Sequence, residues 1–134
     1  MPPEKIEIII NWFNKGEEDI LTAELVIEAS PTLYDVAAFH SQQAAEKYLK
    51  SFLAFNEVLP PRTHDIKTLI DLAISFDSAF DEIRDAESLS KYAVRSRYPD
   101  DFDIDTKEQA LIILNESKRV KNFVIIKIGD LNHV

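Results

Sequence analysis

Apolar residues return every three or four positions along most of this chain, the spacing of helices that bury one face. From about Pro3 to Ser30, Ile6, Ile9, Ile10, Phe13, Ile20, Leu21 and Ile27 form one stripe, and Pro31 closes the segment. Glu17 and Glu24 fall on that stripe, so each must reach its edge or a partner charge. A second helix is predicted after Thr32, where Thr-Leu-Tyr-Asp has the form of a capping box. It runs to about Asn56, where Leu-Pro-Pro stops it because proline cannot continue a helix. Tyr34, Ala37, Ala44, Tyr48, Phe52 and Phe55 line its apolar face. Ala37, Ala38, Ala44 and Ala45 let neighbours approach closely.

Thr63 is positioned to cap a third helix, from His64 to about Phe76, carrying Ile66, Leu69, Ile70 and Ala73. Ser78 opens a fourth with Ser-Ala-Phe-Asp, ending near Arg97, because Pro99 pushes Tyr98 out of the α region. Asp105 with Glu108 caps a long fifth helix whose stripe is Ala110, Ile113, Leu114, Val120, Val124, Ile125 and Ile128. Short connections favour antiparallel neighbours. The expectation is an all-α, up-and-down antiparallel bundle of about five helices, one domain over residues 1–134.

Composition supports that expectation. The chain has two glycines, too few for the tight turns of a β-rich fold. It has no cysteine, which excludes disulfides and thiolate chemistry. No secretory signal pattern is visible, and apolar runs such as Leu111 to Leu114 are far too short to span a bilayer. A soluble, cytoplasmic protein with no membrane partner is expected. The net charge of −9 disfavours a sequence-blind RNA or DNA binder, which needs a basic surface to displace counterions.

Local cationic features stand out against that acidity. His40, Gln43 and Lys47 share one stripe of the second helix, bordering its apolar face. Such a set suits a phosphate or a base edge, and equally a polar seam satisfied inside a bundle or dimer. Arg62, His64 and Asp65 lie at the start of the third helix, where backbone N–H groups favour anions. Asp65 itself can take that role.

On an α-helical wheel Arg84, Lys91 and Arg95 share a face, within about 40° at ~100° per residue. Arg97 projects nearer the apolar stripe of Ile83, Ala86, Ser90 and Ala93, where it needs a pairing carboxylate or phosphate. Neither glycine belongs to a phosphate-cradling loop, and the three histidines lack the spacing that puts two on one helix face. Asp101, Asp103 and Asp105 alternate like a calcium loop, but Thr106 and Ile112 replace the glycine and glutamate such a loop needs. No metal and no cofactor are expected.

Four stretches, Asn-Trp-Phe-Asn-Lys-Gly-Glu-Glu-Asp from Asn11, Phe-His-Ser-Gln-Gln-Ala-Ala-Glu-Lys from Phe39, Pro-Pro-Arg-Thr-His-Asp from Pro60 and Ser-Lys-Tyr-Ala-Val-Arg-Ser-Arg-Tyr-Pro-Asp-Asp from Ser90, occur in order. Their order and spacing resemble prokaryotic HEPN-domain proteins, from about Asn11 to the end of the last helix. Gly16 stands where that family usually has alanine. The resemblance implies a helical bundle, commonly a homodimer, and a small stand-alone type paired with a minimal nucleotidyltransferase in a toxin–antitoxin-like system. It raises His40, Gln43, Lys47, His64, Arg95, Arg97 and Tyr98 as nucleotide- or phosphate-binding candidates.

Some relatives are metal-independent endoribonucleases that use an R-x4-6-H motif near the last helix. That motif is missing: Ile126, Lys127 and Ile128 occupy the places before His133 where its arginine belongs. Arg62 is only two residues before His64, and no arginine precedes His40. The resemblance thus implies a non-catalytic binding and interaction module. The alternative is a ribonuclease toxin with non-standard residues, His64 as general acid/base and Arg95 or Arg97 stabilising the phosphorane. A third reading is an oligomerising scaffold whose polar seams set helix register.

Overall fold

A computed structural model of the chain describes residues 2–29, 31–93 and 104–129. Its elements are α1 (Pro3–Ala29), α2 (Tyr34–Phe55), α3 (Ile66–Ile74), a 3-10 helix (Ser78–Tyr92, hereafter the tight helix) and α4 (Lys107–Ile128). The expected all-α bundle is what forms. Contacts such as Lys5–Glu57, Asp19–His40 and Lys107–Glu28, Lys121–Glu17 run α2 and α4 antiparallel to α1. No described helix is long and apolar enough to cross a membrane.

α2 is the central element. Ala37, Ala38, Ala44, Ala45, Tyr48, Leu49 and Leu53 are all fully buried, because small side chains along it admit neighbours on several sides. Phe52, Phe80 and Phe123 continue the core, with ring centroids 4.3 Å and 4.9 Å apart along the series. Gly16 of α1 permits a close approach to α2: a Cβ there would lie 2.7 Å from the Tyr48 ring.

Several boundaries differ from expectation, each for a local reason. The residue preceding α2 is Leu33, with no side-chain capping bond, so the Thr-Leu-Tyr-Asp stretch does not act as a capping box. The helix ends before the prolines. Glu57 adopts a left-handed φ of 62°, its N–H bonds to the Ala54 carbonyl, and the Val58 N–H bonds to Leu53, as in a Schellman turn. Asp65, not Thr63, precedes α3, and the Thr63 hydroxyl accepts from the Asp65 N–H.

The capping box of α4 is real but shifted by one residue. Thr106 accepts from the Gln109 N–H, and the Gln109 side chain accepts from the Thr106 N–H. On the outer surface Leu21 and Ile125 are exposed, so the α1 and α4 stripes are narrower than the sequence pattern suggested.

The largest correction concerns Ser78–Tyr92, which is not α-helical. Its buried residues are Phe80, Ile83, Ala86 and Leu89, a spacing of three that matches the ~3.0 residues per turn of a 3-10 helix. Ile83 (φ −110°, ψ 20°) breaks it internally. Ser90, read as part of an apolar stripe, instead accepts from the Ile66 N–H and donates to Asp65.

Candidate functional site

The polar residues of α2 face α1 on one side and the α2–α3 connection on the other. Lys47 Nζ donates to Gln43 Oε1 (3.0 Å) and to Glu46 Oε2 (3.1 Å). Gln43 Nε2 donates to Gln42 Oε1 (2.7 Å), and Gln42 Nε2 donates to the His64 carbonyl (3.0 Å). His64 Nδ1 then meets Glu46 Oε1 at 2.5 Å, which closes a ring of hydrogen bonds through Lys47, Gln43, Gln42, His64 and Glu46.

α1 adds Asp19, whose carboxylate lies 2.9 Å from His40 Nδ1 and 4.0 Å from Lys47 Nζ. Four of the candidates named from sequence, His40, Gln43, Lys47 and His64, are therefore brought into one network. Arg95, Arg97 and Tyr98 lie outside the described residues.

The network is buried at its centre and open at its rim. The Glu46 side chain is 2% exposed, that of Lys50 7% and that of His64 64%. Two ammonium groups, Lys47 and Lys50 (3.6 Å), compensate the Glu46 carboxylate, as a buried charge requires. Lys50 also lies 5.4 Å from the centre of the Trp12 ring. Burial pushes the Lys50 ammonium below its ordinary value, with Lys47 adding to the effect, while Glu46 works against it.

Beside this network, the Tyr48 hydroxyl donates to Glu17 (2.6 Å), and Lys121 of α4 pairs with the same oxygen (2.7 Å). Burial, then the Glu17 carboxylate, pushes the Tyr48 phenol up. Burial opposes ionisation of Glu17, but the bonds from Lys121 and Tyr48 outweigh it and hold the carboxyl below its ordinary value. Glu17 and Glu24 thus find the partner charges their stripe demanded, Glu24 through Lys118. An open groove of about 560 Å³ between α1 and α4 is flanked by these four side chains.

The expected cationic face of Arg84 and Lys91 does not form among the described residues. At the ~120° per residue of a 3-10 turn the two positions diverge. Arg84 is held by Asp71 (2.9 Å) and Asp81 (2.8 Å), and Lys91 lies against the Tyr92 ring.

Asp19, Gln42, Glu46 and Lys50 were not singled out from sequence. Three of them carry a readable signal. Gln42, Glu46 and Lys50 recur every fourth residue of α2, beside the stripe of His40, Gln43 and Lys47. Asp19 had none, because its role depends on which residue of α2 lies opposite.

The ring's amide, carboxylate and ammonium groups bond one another. What points outward is the His64 imidazole. Because the Glu46 carboxylate only accepts, the imidazole places a proton on Nδ1 towards it, and in the neutral ring Nε2 then carries the lone pair. No group of three or more acidic or histidine side chains among the described residues is placed to hold a metal ion.

The sequence profile of the HEPN domain matches residues 10–128. The fold is similar to the crystal structure of an archaeal HEPN homologue, with 26% identity, a TM-score of 0.70, and coverage of 90% of this chain and 98% of that one. No curated relative matches the chain. With α1, α3, α4 and the tight helix packed round a central α2, and with the family profile matched over nearly its whole length, the chain belongs to the HEPN-domain family.

Proposed function

We propose that the protein is a binding and interaction module, not a catalyst: a homodimer that pairs with a minimal nucleotidyltransferase in a toxin–antitoxin-like system and takes a nucleotide or phosphate ligand. The observation that carries this reading is the closed ring on α2. Its groups bond one another and offer the outside one imidazole nitrogen, an arrangement suited to recognition. Family membership supports a nucleotide-binding or ribonuclease-like role, and the missing R-x4-6-H motif favours the former. Exposed Leu21 and Leu25 on α1 and Ile112 and Ile126 on α4 supply apolar surface for protein partners.

Isothermal titration with ATP, GTP and their monophosphates tests the ligand; no heat at millimolar concentration removes it. Light scattering on the purified chain tests the dimer, and a monomer mass removes that part. Co-expression with a small nucleotidyltransferase tests the pairing.

One observation favours a second reading, a metal-independent ribonuclease. A carboxylate-held imidazole with Nε2 facing outward is the geometry of a general base. RNA cleavage in EDTA by the wild type and its loss in His64→Ala would support it. No cleavage by the wild type would dismiss it.

A further inference from the structure

We infer that Glu46 is a positioning residue for His64, and that the His64 Nε2 it exposes accepts a ribose hydroxyl, so that the site selects ribonucleotides over 2′-deoxyribonucleotides. This rests on the nucleotide-binding reading above and names the part of the ligand that the α2–α3 corner takes.

The first step is the tautomer. Glu46 is held in place from behind by Lys47 and Lys50, and it meets His64 at Nδ1. A carboxylate in that position fixes the proton on Nδ1. The backbone of His64 is fixed separately, because its carbonyl accepts from Gln42. Ring and backbone are thus anchored by two different side chains of α2, and among the described residues Nε2 has no partner. With 64% of the side chain exposed, that nitrogen is within reach of a ligand.

The second step is the kind of group it receives. A phosphate needs cations or N–H donors. The ammonium groups here are already bound to a carboxylate, Lys47 and Lys50 to Glu46, and His40 Nδ1 lies against Asp19. His64 and the Asp65 that follows it are both exposed, and the Asp65 carboxylate, held by the Thr68 and Ser90 hydroxyls, is an acceptor as Nε2 of the neutral imidazole is. Two neighbouring acceptors fit two neighbouring donors, and the ribose diol is the part of a nucleotide that offers them. Arg62, exposed in the same connection and without an ion pair among the described residues, is the cation that would meet the phosphate end.

The test has two parts. Long-range proton–nitrogen spectra of the labelled free protein should show His64 as the Nδ1–H tautomer, and Glu46→Gln should lose that bias. A predominant Nε2–H form in the wild type overturns the inference without touching the ligand reading. Titrations with ATP and 2′-deoxyATP should show about threefold to tenfold tighter binding of ATP, the span of one net hydrogen bond.

That preference should vanish in His64→Ala, which removes an exposed side chain and leaves the Gln42 anchor intact. If Glu46→Gln proves poorly folded, His64→Ala still decides. Equal affinity of the two nucleotides for the wild type overturns the ribose assignment alone. A preference that survives in His64→Ala also overturns it. Binding of neither nucleotide at millimolar concentration overturns both this inference and the nucleotide reading beneath it.

Discussion

Two lysines of this protein sit against a carboxylate four residues away on the same helix, and they behave in opposite ways. In α3, Lys67 meets Asp71 at 3.0 Å with both side chains exposed (59% and 43%). In α2, Lys50 meets Glu46 at 3.6 Å with both buried (7% and 2%). The hydrogen bond and charge of Asp71 raise the Lys67 ammonium above its ordinary value. Burial lowers Lys50 despite Glu46.

The same pair type therefore changes meaning with depth. At the surface water already solvates each ion and the pair adds little. In the interior each ion depends on its partner, and removing one strands the other.

The largest consequence falls on Glu46. Replacing it by alanine leaves Lys50 buried without its carboxylate, unties Lys47 and releases His64. The expected cost is about 3–5 kcal/mol, read as a lower urea midpoint with an unchanged slope. A loss no greater than that of Asp71→Ala would erase the contrast between the two regions.

That contrast also separates what the sequence made legible from what it did not. Helices were readable because large apolar residues such as Ile9, Ile20, Leu69 and Val120 recur at helical spacing and are buried. The character of Ser78–Tyr92 was missed although its signal was present. Phe80, Ile83, Ala86 and Leu89 repeat every three residues, a period hidden when the segment is laid on an α-helical wheel.

His40, Gln43 and Lys47 were legible as a stripe on α2, and His64 as part of a motif. Their assembly was not, because it depends on Glu46 lying deep and on Asp19 crossing from α1, facts of packing that spacing within one helix does not encode. Arg95, Arg97 and Tyr98 fall outside the described residues, so their assignment still rests on the resemblance.

Gly16 sharpens the comparison from the side of shape. The resemblance leads one to expect alanine here, yet an added Cβ would press on the buried Tyr48 ring, whose hydroxyl is tied to Glu17. Overpacking costs about 1–3 kcal/mol, and the better helix propensity of alanine returns about 1 kcal/mol. Gly16→Ala should therefore be neutral to about 2 kcal/mol less stable. Adding Tyr48→Phe, which frees the ring to shift, should make the double variant better than the sum of the two single changes.

Alkaline pH should separate the two lysines by sign. Lys50 has a folded value below that of the unfolded chain, so between those two values the unfolded state holds the extra proton. Stability in that window rises with pH through Lys50. Lys67 is raised instead, so its contribution is complete below the ordinary lysine value and is lost as pH climbs through the folded one. Comparing wild type with Lys50→Met and with Lys67→Met across alkaline pH should give differences that change in opposite directions. Parallel curves would mean that depth does not govern the two pairs.

The smallest effect should come from a well-bonded cation on the surface, Arg84. Arg84 joins Asp71 of α3 to Asp81 of the tight helix through two contacts under 3 Å, and Lys67 shares Asp71 with it. By a count of ion pairs this is among the best-connected side chains in the molecule. Its neighbours Asp71 and Asp81 are largely exposed, and Arg84 itself is more than a third exposed. Removing it returns those carboxylates to water that already reaches them. Arg84→Ala should leave the melting temperature within experimental error, and raising salt, which screens exposed charges, should not distinguish it from wild type. A clear drop would show that the pairing of α3 with the tight helix depends on this bridge. The buried Ile66, Leu69, Ile83 and Ala86 between them would then not be sufficient to hold the two together.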